Sequence, residues 1–575
     1  MIKEAINELN SNGYNMFVEF EIEIKDNKTQ MIDKTLYYRT VPEALLYLIA
    51  TQNGIMPQFR NHFNIFGVMI DLSRNAVFTV SYFKEIIRKY ALLGVDTIWL
   101  YLEDVYSIDI PYFGYMRGKY TKEEIKEIVK YAKIFQIEIV PAIQTLGHHN
   151  NFLRWPASED YKDQYNVLLA ESSKTYELIE SMLKTIKDMF ETDRIHIGLD
   201  ETFGLGLGKY YKINGFKDPQ KIFIEHLNKV NDMCLKNGFK ETLIWSDMLY
   251  RLANRTEYYY DTNIKFDRKL MEQIPKNMSL VYWDYYNHDI NVVDKMIKSH
   301  KRLGRDVFMA SGTWIWTRLS YDKQKTDKTA LSHIKAAIKN KVDKIIFTQW
   351  NDDGAYGDYE TVFLGVYEMM VACKLKVKPT NKLFSLITQK NYRQEIIKTQ
   401  INDSLIRPEG ILWDDFCYNI FLKNESLRDK NIIKDTILYY ENLHKKLRNK
   451  DFKYYRTITE ILINKLKIYE ELYRNYKTEN NFDTLKVLIH KADKQFQTLE
   501  KAFSDRWHNC YKPFGLEIIQ ARLVYQKIRA NELLYHIDLY EQKHINSIDF
   551  CEEKPQKHQY LSLKFNEIAF SAKNA

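Results

Sequence analysis

The sequence predicts the α/β class: an eight-stranded (β/α)8 barrel between a small α+β N-terminal domain and an α-helical C-terminal domain. Three observations predict this arrangement. The chain has 575 residues, which is too many for one ordinary hydrophobic core. Its middle part alternates short apolar runs with amphipathic stretches at helical spacing. After residue 379 glycine almost disappears, and long segments rich in Lys, Glu, Leu and Tyr follow.

The predicted N-terminal domain covers residues 1–63. In residues 17–24 apolar and polar side chains alternate strictly from Val18 onward, which predicts a half-buried strand. Residues 41–50 form an apolar run that predicts a helix. A short strand pattern followed by a helix indicates a small α+β unit.

The predicted barrel, a TIM barrel, covers residues 64–378. Eight strand–helix units with nearly continuous apolar strands favour a closed parallel barrel over an open sheet. An open doubly wound sheet is the alternative, but no Gly-rich phosphate loop follows the first strand. The predicted strands are residues 67–71, 97–103, 137–143, 194–200, 242–247, 279–284, 306–311 and 344–350.

The predicted C-terminal domain covers residues 379–575 and is helical. Ile458, Leu462, Leu466 and Tyr469 recur at helical spacing. Such an apolar stripe either packs inside its own domain or forms the face of a homodimer, and the pattern leaves both interpretations open.

Composition excludes several classes of protein. The net charge of +8 is modest for this length and no dense basic run is present, which argues against nucleic-acid binding. No segment has the roughly 20 uncharged apolar residues of a membrane span, and the first residues lack the apolar core of a signal peptide. Five scattered cysteines predict a reducing, cytoplasmic location. No cofactor motif is found, and His148, His149 and His196 have no HxH or ExxH metal spacing.

The strand ends predict where the chemistry lies, because active sites of such barrels form at the carboxyl ends of the strands. Five of the nine tryptophans fall at these ends. Aromatic rings pack against the C–H faces of sugars, so we expect an aromatic-walled sugar pocket with carboxylates. The residues at these ends are Arg74, Glu103, Asp104, Gln144, His148, His149, Asp200, Glu201, Trp245, Asp247, Trp283, Asp284, Tyr285, Tyr286, Trp314, Trp316, Trp350, Asp352 and Asp353.

Asp200 and Glu201 form an adjacent carboxylate pair at the end of the fourth strand. Glycosidic cleavage needs a carboxylic acid that protonates the leaving oxygen and a second group that stabilises the cation. Because side chains alternate along a strand, both can face one pocket only if the backbone leaves strand geometry there. His148 is expected to bind sugar or to support the pocket carboxylates, and Arg74 either neutralises those carboxylates or binds hydroxyls.

The run His-Ile-Gly-Leu-Asp-Glu at residues 196–201 resembles the signature of glycoside hydrolase family 20, the β-N-acetylhexosaminidases. Residues 67–77, 102–125, 141–148, 280–286 and 312–316 are similar to the small streptococcal-type branch of intracellular exo-hexosaminidases. The resemblance covers roughly residues 65–365. It implies an exo-acting, retaining enzyme that releases terminal β-linked N-acetylglucosamine, N-acetylgalactosamine or both from an oligosaccharide or glycoconjugate.

The resemblance also implies substrate-assisted catalysis, in which the 2-acetamido carbonyl attacks the anomeric carbon and forms an oxazolinium intermediate. Glu201 would be the general acid/base, and Asp200 would orient the acetamido N–H. The implied substrate-binding residues are Arg74, His148, Trp245, Asp247, Trp283, Tyr285 or Tyr286, Trp314 or Trp316, Trp350 and Asp352.

Two positions depart from the family pattern. Phe66 stands where many members have an arginine, so Arg74 would take over its role. Tyr356 stands where the branch has a glutamate after the eighth strand, which leaves the choice between the two sugars open. Two other hypotheses remain: a catalytically silent carbohydrate-binding barrel and a metal-dependent sugar isomerase or hydrolase.

Overall fold

A computed structural model describes residues 2–19, 21–24, 28–478, 481–555 and 564–570. The N-terminal part contains helices α1 (Ile2–Ser11) and α2 (Val41–Thr51) and a three-stranded sheet in the order β1-β3-β2. Its strands are β1 (Glu21–Ile24), β2 (Gln30–Ile32) and β3 (Thr35–Tyr38). The predicted helix at residues 41–50 is confirmed as α2, whose first turn is capped by the Thr40 side chain.

The predicted strand at residues 17–24 differs from the structure. Only Glu21–Ile24 form a strand, and residue 20 lies outside the described residues. The expected half-burial is wrong, because three of the four β1 residues are exposed. β1 is an edge strand that pairs with β3 alone, and only Ile22 of its apolar residues packs against the core, whereas Ile24 is 59% exposed.

The barrel is closed by eight parallel strands in the spatial order β10-β11-β4-β5-β6-β7-β8-β9. Closure occurs where β11 pairs with β4, from Lys344 beside Ile65 to Gln349 beside Ile70. Almost every strand residue is buried, as the continuous apolar runs predict. The strands are β4 (Ile65–Asp71), β5 (Thr97–Leu102), β6 (Glu138–Ile143), β7 (Arg194–His196), β8 (Glu241–Trp245), β9 (Met278–Trp283), β10 (Asp306–Gly312) and β11 (Lys344–Gln349).

Helices surround the barrel and connect its strands. Several begin at side-chain caps, and α4 has the capping box that its Thr-Lys-Glu-Glu start predicts. The helices of this part are α3 (Val80–Leu92), α4 (Lys122–Ile134), α5 (Asn150–Leu153), α6 (Ser173–Met189), α7 (Lys209–Asn214), α8 (Pro219–Lys236), α9 (Asp247–Asn254), α10 (Arg268–Gln273), α11 (Ile290–Arg302), α12 (Lys323–Lys339) and α13 (Val362–Lys374).

The N-terminal part packs against the end of the barrel where the strands begin. Lys374 Nζ lies 3.1 Å from Glu43 Oε1 of α2 and 3.0 Å from Asp96 Oδ2, just before β5. The Thr40 hydroxyl also donates to Asp96 Oδ1 at 3.0 Å. This buried ionic group anchors α2 at the barrel end opposite the predicted site, so the N-terminal part leaves the carboxyl ends of the strands free.

The C-terminal part is helical throughout its described residues after 379. The three longest helices, α19, α20 and α21, pack on one another in sequence. No described helix of the whole chain combines the length and apolar character needed to cross a lipid bilayer. The helices are α14 (Asn381–Thr388), α15 (Tyr392–Thr399), α16 (Pro408–Trp413), α17 (Ile420–Arg428), α18 (Ile432–Lys446), α19 (Lys453–Asn475), α20 (Asp483–Cys510), α21 (Leu516–Glu541), α22 (Asp549–Glu552) and α23 (Phe565–Ile568).

These helices contact the barrel at the loop that follows β11. Arg522 of α21 donates to the backbone oxygen of Asp353 at 2.8 Å and to its Oδ1 at 2.9 Å. Arg506 of α20 donates to the backbone oxygen of Tyr356 at 3.0 Å. The α/β fold with a barrel and a helical C-terminal region is confirmed, whereas the exact domain boundaries at 63 and 378 stay predictions.

Candidate active site

A cavity opens at the carboxyl ends of the barrel strands, and most of the predicted site residues line it. Of the catalytic and substrate-binding residues that the family resemblance implies, two, Asp247 and Trp314, do not line it and lie behind its wall. The lining consists of Arg74, His148, Asp200, Glu201, Trp245, Trp283, Tyr285, Tyr286, Trp316, Trp350 and Asp352.

The backbone leaves strand geometry before the carboxylate pair, which allows Asp200 and Glu201 to face the same cavity. β7 ends at His196, and positive φ angles follow at Gly198 (75°), Leu199 (75°) and Glu201 (47°). Only glycine fits at position 198, because a Cβ there would lie 2.0 Å from Gln144 Oε1. The turn at Gly198 therefore produces the arrangement that the alternation of side chains would otherwise forbid.

Asp200 is held as an anion by two neighbours. Gln144 Nε2 donates to Asp200 Oδ1 at 2.7 Å, and His148 Nε2 lies 3.1 Å from Asp200 Oδ2. Burial alone would raise the pKa of Asp200, but the charge of His148 and the hydrogen bonds from His148 and Gln144 together outweigh it and lower this pKa to about 2. Burial likewise acts to lower the pKa of His148, yet the Asp200 carboxylate raises it to about 9. Near neutral pH the two groups form a buried ion pair.

The Glu201 carboxyl group lies between two cationic side chains. Its Oε2 is 3.8 Å from His148 Nε2, and its Oε1 is 3.8 Å from Arg251 Nη2. The side chain is 39% exposed, in contrast to the buried Asp200. Glu201 can therefore reach both a molecule in the cavity and the solvent at its mouth.

Asp247, at the start of α9, supports Glu201 from behind the wall. Its Oδ2 accepts from the backbone N–H of Glu201 at 3.1 Å and from Arg251 Nε at 2.9 Å. Its Oδ1 accepts from the Trp283 indole N–H at 3.4 Å. The side chain is fully buried, and burial followed by the nearby charge of Asp200 raises the pKa of Asp247 to about 7. Asp247 fixes the wall and Glu201 without reaching the cavity.

The aromatic wall is a continuous set of ring contacts. Trp283 stacks on Tyr285 with centroids 5.5 Å apart, and Tyr285 meets Trp316 edge-on at 5.2 Å. Trp314 stacks behind Trp316 at 3.9 Å, so of these two predicted residues Trp316 is the one that faces the cavity. A Cβ at Gly312 would lie 2.6 Å from the Trp316 ring, and glycine there makes room for the wall.

Arg74 lies among carboxylates on the β4 side of the cavity. Its guanidinium nitrogens are 3.4 Å from Asp71 Oδ2, 3.6 Å from Glu103 Oε1 and 3.6 Å from Asp352 Oδ1. The same guanidinium lies 4.8 Å from the ring centroid of Trp350. The position thus fits both interpretations of Arg74, since it neutralises carboxylates and still borders the cavity.

The other histidines near the site are buried and uncharged. Burial, helped by the charge of His148, lowers the pKa of His149 to about 3. Burial also lowers the pKa of His196 to about 3, and this ring packs 4.5 Å from Trp245 inside the barrel. Within the described ranges, no three His, Cys, Asp or Glu side chains form a group that could hold a metal ion.

Sequence reasoning missed Arg251 and left Glu103 and Gln144 without roles. Arg251 follows Asp247 by four residues on α9, an ion-pair spacing that could have drawn attention to it. Tyr356, which departs from the family pattern, does not line the cavity. Its ring is buried against Trp413 of α16, with centroids 5.5 Å apart.

A closed (β/α)8 barrel whose strand ends place a carboxylate pair in an aromatic-walled cavity defines a carbohydrate-processing enzyme. The family model described as "Glycosyl hydrolase family 20, catalytic domain" matches residues 63–366. A second, described as "Glycoside Hydrolase 20C C-terminal domain", matches residues 409–563. The chain therefore belongs to glycosyl hydrolase family 20, and it is a glycoside hydrolase that acts on glycans. The predicted family, fold class and enzyme class are confirmed.

Curated relatives are similar over part of the chain. Hexosaminidase D of Bos taurus is 25% identical over 275 residues, which cover 45% of this chain and 73% of the relative. Hexosaminidase D of Homo sapiens is 26% identical over 233 residues, which cover 39% of this chain and 45% of the relative. The chain thus spans less than half the length of the human relative. A crystal structure of an exo β-N-acetylglucosaminidase from Vibrio harveyi aligns with a TM-score of 0.45 at 15% identity over 65% of this chain and 67% of that one.

Proposed function

We propose that the protein is an exo-acting, retaining β-N-acetylhexosaminidase that works by substrate-assisted catalysis. It releases terminal β-linked N-acetylglucosamine, N-acetylgalactosamine or both from oligosaccharides or glycoconjugates. The observation that carries this proposal is the pair of adjacent carboxylates in unlike environments. Asp200 is buried and paired with His148 at 3.1 Å, whereas Glu201 is 39% exposed at the mouth of the same cavity.

Asp200 holds the acetamido group of the substrate in this proposal. Its low pKa of about 2 keeps the carboxylate charged at neutral pH, so it accepts a hydrogen bond from the acetamido N–H. As the carbonyl oxygen attacks the anomeric carbon, positive charge develops on the acetamido nitrogen. A fixed anion beside that nitrogen stabilises the transition state more than the ground state.

Glu201 is the proposed general acid and base. In the first step it protonates the glycosidic oxygen as the leaving group departs. In the second step the resulting carboxylate removes a proton from the water that opens the oxazolinium ring, so one residue serves both steps. No nucleophilic carboxylate is required, because the substrate supplies the nucleophile; family members of this kind are an exception to the scheme with two carboxylates.

The cavity wall supplies the proposed substrate contacts. Tyr285 is better placed than Tyr286 to donate to the acetamido carbonyl, because it lies within the wall between Trp283 and Trp316 whereas Tyr286 is 53% exposed. The methyl group would pack against the indole rings of the wall, and Trp350 would stack under the sugar ring. Arg74 and Asp352 would bind the remote hydroxyls. His148 would act on the substrate through the carboxylates that it contacts.

Two further parts of the proposal concern the whole chain. We propose a homodimer through the C-terminal helices, because α21 exposes an apolar stripe of Val524, Ile528 and Tyr535. We also propose a reducing, cytoplasmic location, since all five cysteines are buried and unpaired.

The deciding experiment removes the nucleophile from the substrate. We expect p-nitrophenyl 2-acetamido-2-deoxy-β-glycosides to be hydrolysed and the matching 2-hydroxyl glycosides to be almost inert. A thiazoline analogue of the bicyclic intermediate should inhibit far more tightly than the product sugar. Asp200→Asn keeps the shape but loses the charge, so it should lower kcat by on the order of 100-fold while KM changes less.

A different result would contradict this mechanism. Mass spectrometry after rapid quenching would reveal a covalent sugar adduct on a carboxylate such as Asp247 or Asp284 if the enzyme supplied the nucleophile. Failure to hydrolyse any 2-acetamido glycoside would favour a silent carbohydrate-binding barrel instead. Loss of activity in EDTA, restored by a divalent metal, would favour a metal-dependent hydrolase.

A further inference from the structure

Phe203 follows the proposed acid, Glu201, by two residues, and its phenyl ring lies against Arg251, which neighbours that acid. Its backbone N–H donates to the backbone oxygen of Glu201 at 2.8 Å, so a tight turn keeps the two residues together. The Phe203 side chain is not part of the cavity lining and is 41% exposed. Single exposed apolar residues are common on protein surfaces, so exposure alone carries no conclusion. What distinguishes Phe203 is that its ring is held in place.

Arg251 holds the ring. The guanidinium carbon lies 5.0 Å from the centroid of Phe203, within the range of a cation–π contact. The same guanidinium is fixed by the buried Asp247 at 2.9 Å, and it also contacts the backbone oxygen of Glu257. Because Arg251 Nη2 is 3.8 Å from Glu201 Oε1, one planar group connects the acid and the aromatic ring.

The two oxygens of Glu201 indicate which side of the acid this ring occupies. His148 is near Oε2, and it also pairs with Asp200, the residue proposed to hold the acetamido group. Arg251 and Phe203 are on the Oε1 side. A general acid lies between the sugar that is released and the group that leaves, because it protonates the oxygen that joins them. The Oε1 side therefore faces the leaving group.

We propose that Phe203 and Arg251 form a subsite for the leaving group, and that this subsite takes a neutral pyranose ring. This inference rests on the proposed function. The apolar C–H face of the ring packs on the phenyl group, and a ring hydroxyl accepts a hydrogen bond from Arg251 Nη2. Asp247 and Glu201 both lie within 4 Å of this guanidinium, so a sulfate or phosphate that approached Arg251 would have to lie beside two carboxyl groups. The subsite consequently favours a neutral sugar over a sulfated or phosphorylated one.

The test compares two substrates that differ in the ring of the leaving group. One is a β-linked disaccharide with a terminal 2-acetamido sugar, and the other is the trifluoroethyl β-glycoside of the same sugar. Trifluoroethanol has an acidity close to that of a sugar hydroxyl but offers no ring to stack. The kcat/KM of the disaccharide divided by that of the trifluoroethyl glycoside therefore measures recognition of the ring rather than the need for protonation.

Phe203→Ala should lower this ratio about fivefold, the effect of losing one aromatic contact, and Phe203→Trp should restore it. Phe216→Ala is the matched control, since Phe216 is an exposed phenylalanine beyond α7 and its loss should leave the ratio unchanged. If the wild-type protein hydrolyses both substrates and Phe203→Ala leaves the ratio unchanged, the subsite is rejected while the proposed function stands. If the wild-type protein hydrolysed neither substrate, the proposed function would fail and this inference with it.

Discussion

At the scale of single residues, the site depends on two groups that fix each other's charge. Asp200 is buried and His148 is partly buried, yet each keeps its ionised form because the partner is 3.1 Å away. Without a partner, burial would drive both groups to their neutral forms. The pair can therefore be tested by removing one member and following the protonation of the other.

His148→Gln should move the acidic limb of the kcat/KM profile to higher pH. In the wild-type protein Asp200, with its pKa lowered to about 2, is ionised at every pH above that value. Without the imidazolium, burial dominates and the pKa of Asp200 rises, so the anion is lost earlier as the pH falls. A pH profile measured on one 2-acetamido aryl glycoside gives the shift directly. An acidic limb at the same pH in both proteins would contradict the role of His148.

The same substitution should have a stability signature with a defined pH window. His148, whose pKa is raised from 6.5 to about 9, contributes fully below 6.5, and this contribution is lost as the pH rises through 9. Asp200, whose pKa is lowered from 3.8 to about 2, contributes fully above 3.8, and its contribution is lost as the pH falls through 2. The free energy of unfolding should therefore differ most between wild type and His148→Gln from about pH 4 to 6.5.

At the scale of elements, the loop after β11 is fixed from outside the barrel. It carries Trp350 and Asp352, which line the cavity, and its next residue, Asp353, is bound by Arg522 of α21. Both side chains of this pair are only 9% exposed. The C-terminal helices thus take part in shaping the site, and this ion pair is one of their contacts with the loop.

Arg522→Gln should destabilise the protein by about 3 kcal/mol, because it leaves a buried carboxylate without its cation. Burial already raises the pKa of Asp353, and Arg522 opposes that rise. The destabilisation should shrink in mildly acidic buffer, where the orphaned carboxyl group becomes protonated. Denaturant unfolding at neutral and acidic pH measures both effects. Arg522→Gln combined with Asp353→Asn should recover most of the loss, and equal destabilisation of the single and double variants would argue against the pair.

The elements also show what the sequence could predict. Continuous apolar runs marked all eight barrel strands, because a strand covered on both faces has few polar residues. Pattern alone did not indicate that β7 stops at His196, since that depends on the contact between Gly198 and Gln144. Nor did the pattern show which of Trp314 and Trp316 faces the cavity, because that depends on how the two rings stack on each other.

Asp247 illustrates the same limit at the strand ends. Sequence position correctly placed it at the carboxyl end of β8, but it could not show that the side chain turns away from the cavity toward Arg251 and the backbone of Glu201. Spacing predicts which backbone element a residue belongs to. The direction of its side chain depends on partners that lie far away in the chain.

At the scale of the whole molecule, the N-terminal part and the long C-terminal helices α20 and α21 contact opposite ends of the barrel. The N-terminal part is anchored where the strands begin, through Lys374, Glu43 and Asp96. The C-terminal helices contact the loops at the end that carries the site, as Arg522 and Asp353 show. A dimer formed through these helices would therefore lie on the catalytic side of each barrel and not on its N-terminal side.

The proposed dimer face is a stripe on α21. Val524, Ile528 and Tyr535 are 48%, 60% and 57% exposed, and their spacing of four and seven residues places them on one side of the helix. In a two-fold symmetric dimer the same patch occurs on both sides of the interface. A glutamate in the middle of the stripe would then be desolvated and would meet the same charge from the other copy, which disfavours association.

Ile528→Glu should convert a dimer of the 68.9 kDa chain into a monomer with unchanged secondary structure. Leu438→Glu, at an equally exposed leucine on α18, is the matched control and should leave the dimer intact. Sedimentation velocity over a range of concentrations distinguishes the two, because the control keeps twice the chain mass whereas Ile528→Glu sediments as one chain. A wild-type protein that sediments as a monomer at every concentration would reject the dimer, and the stripe would then be an ordinary exposed face of α21.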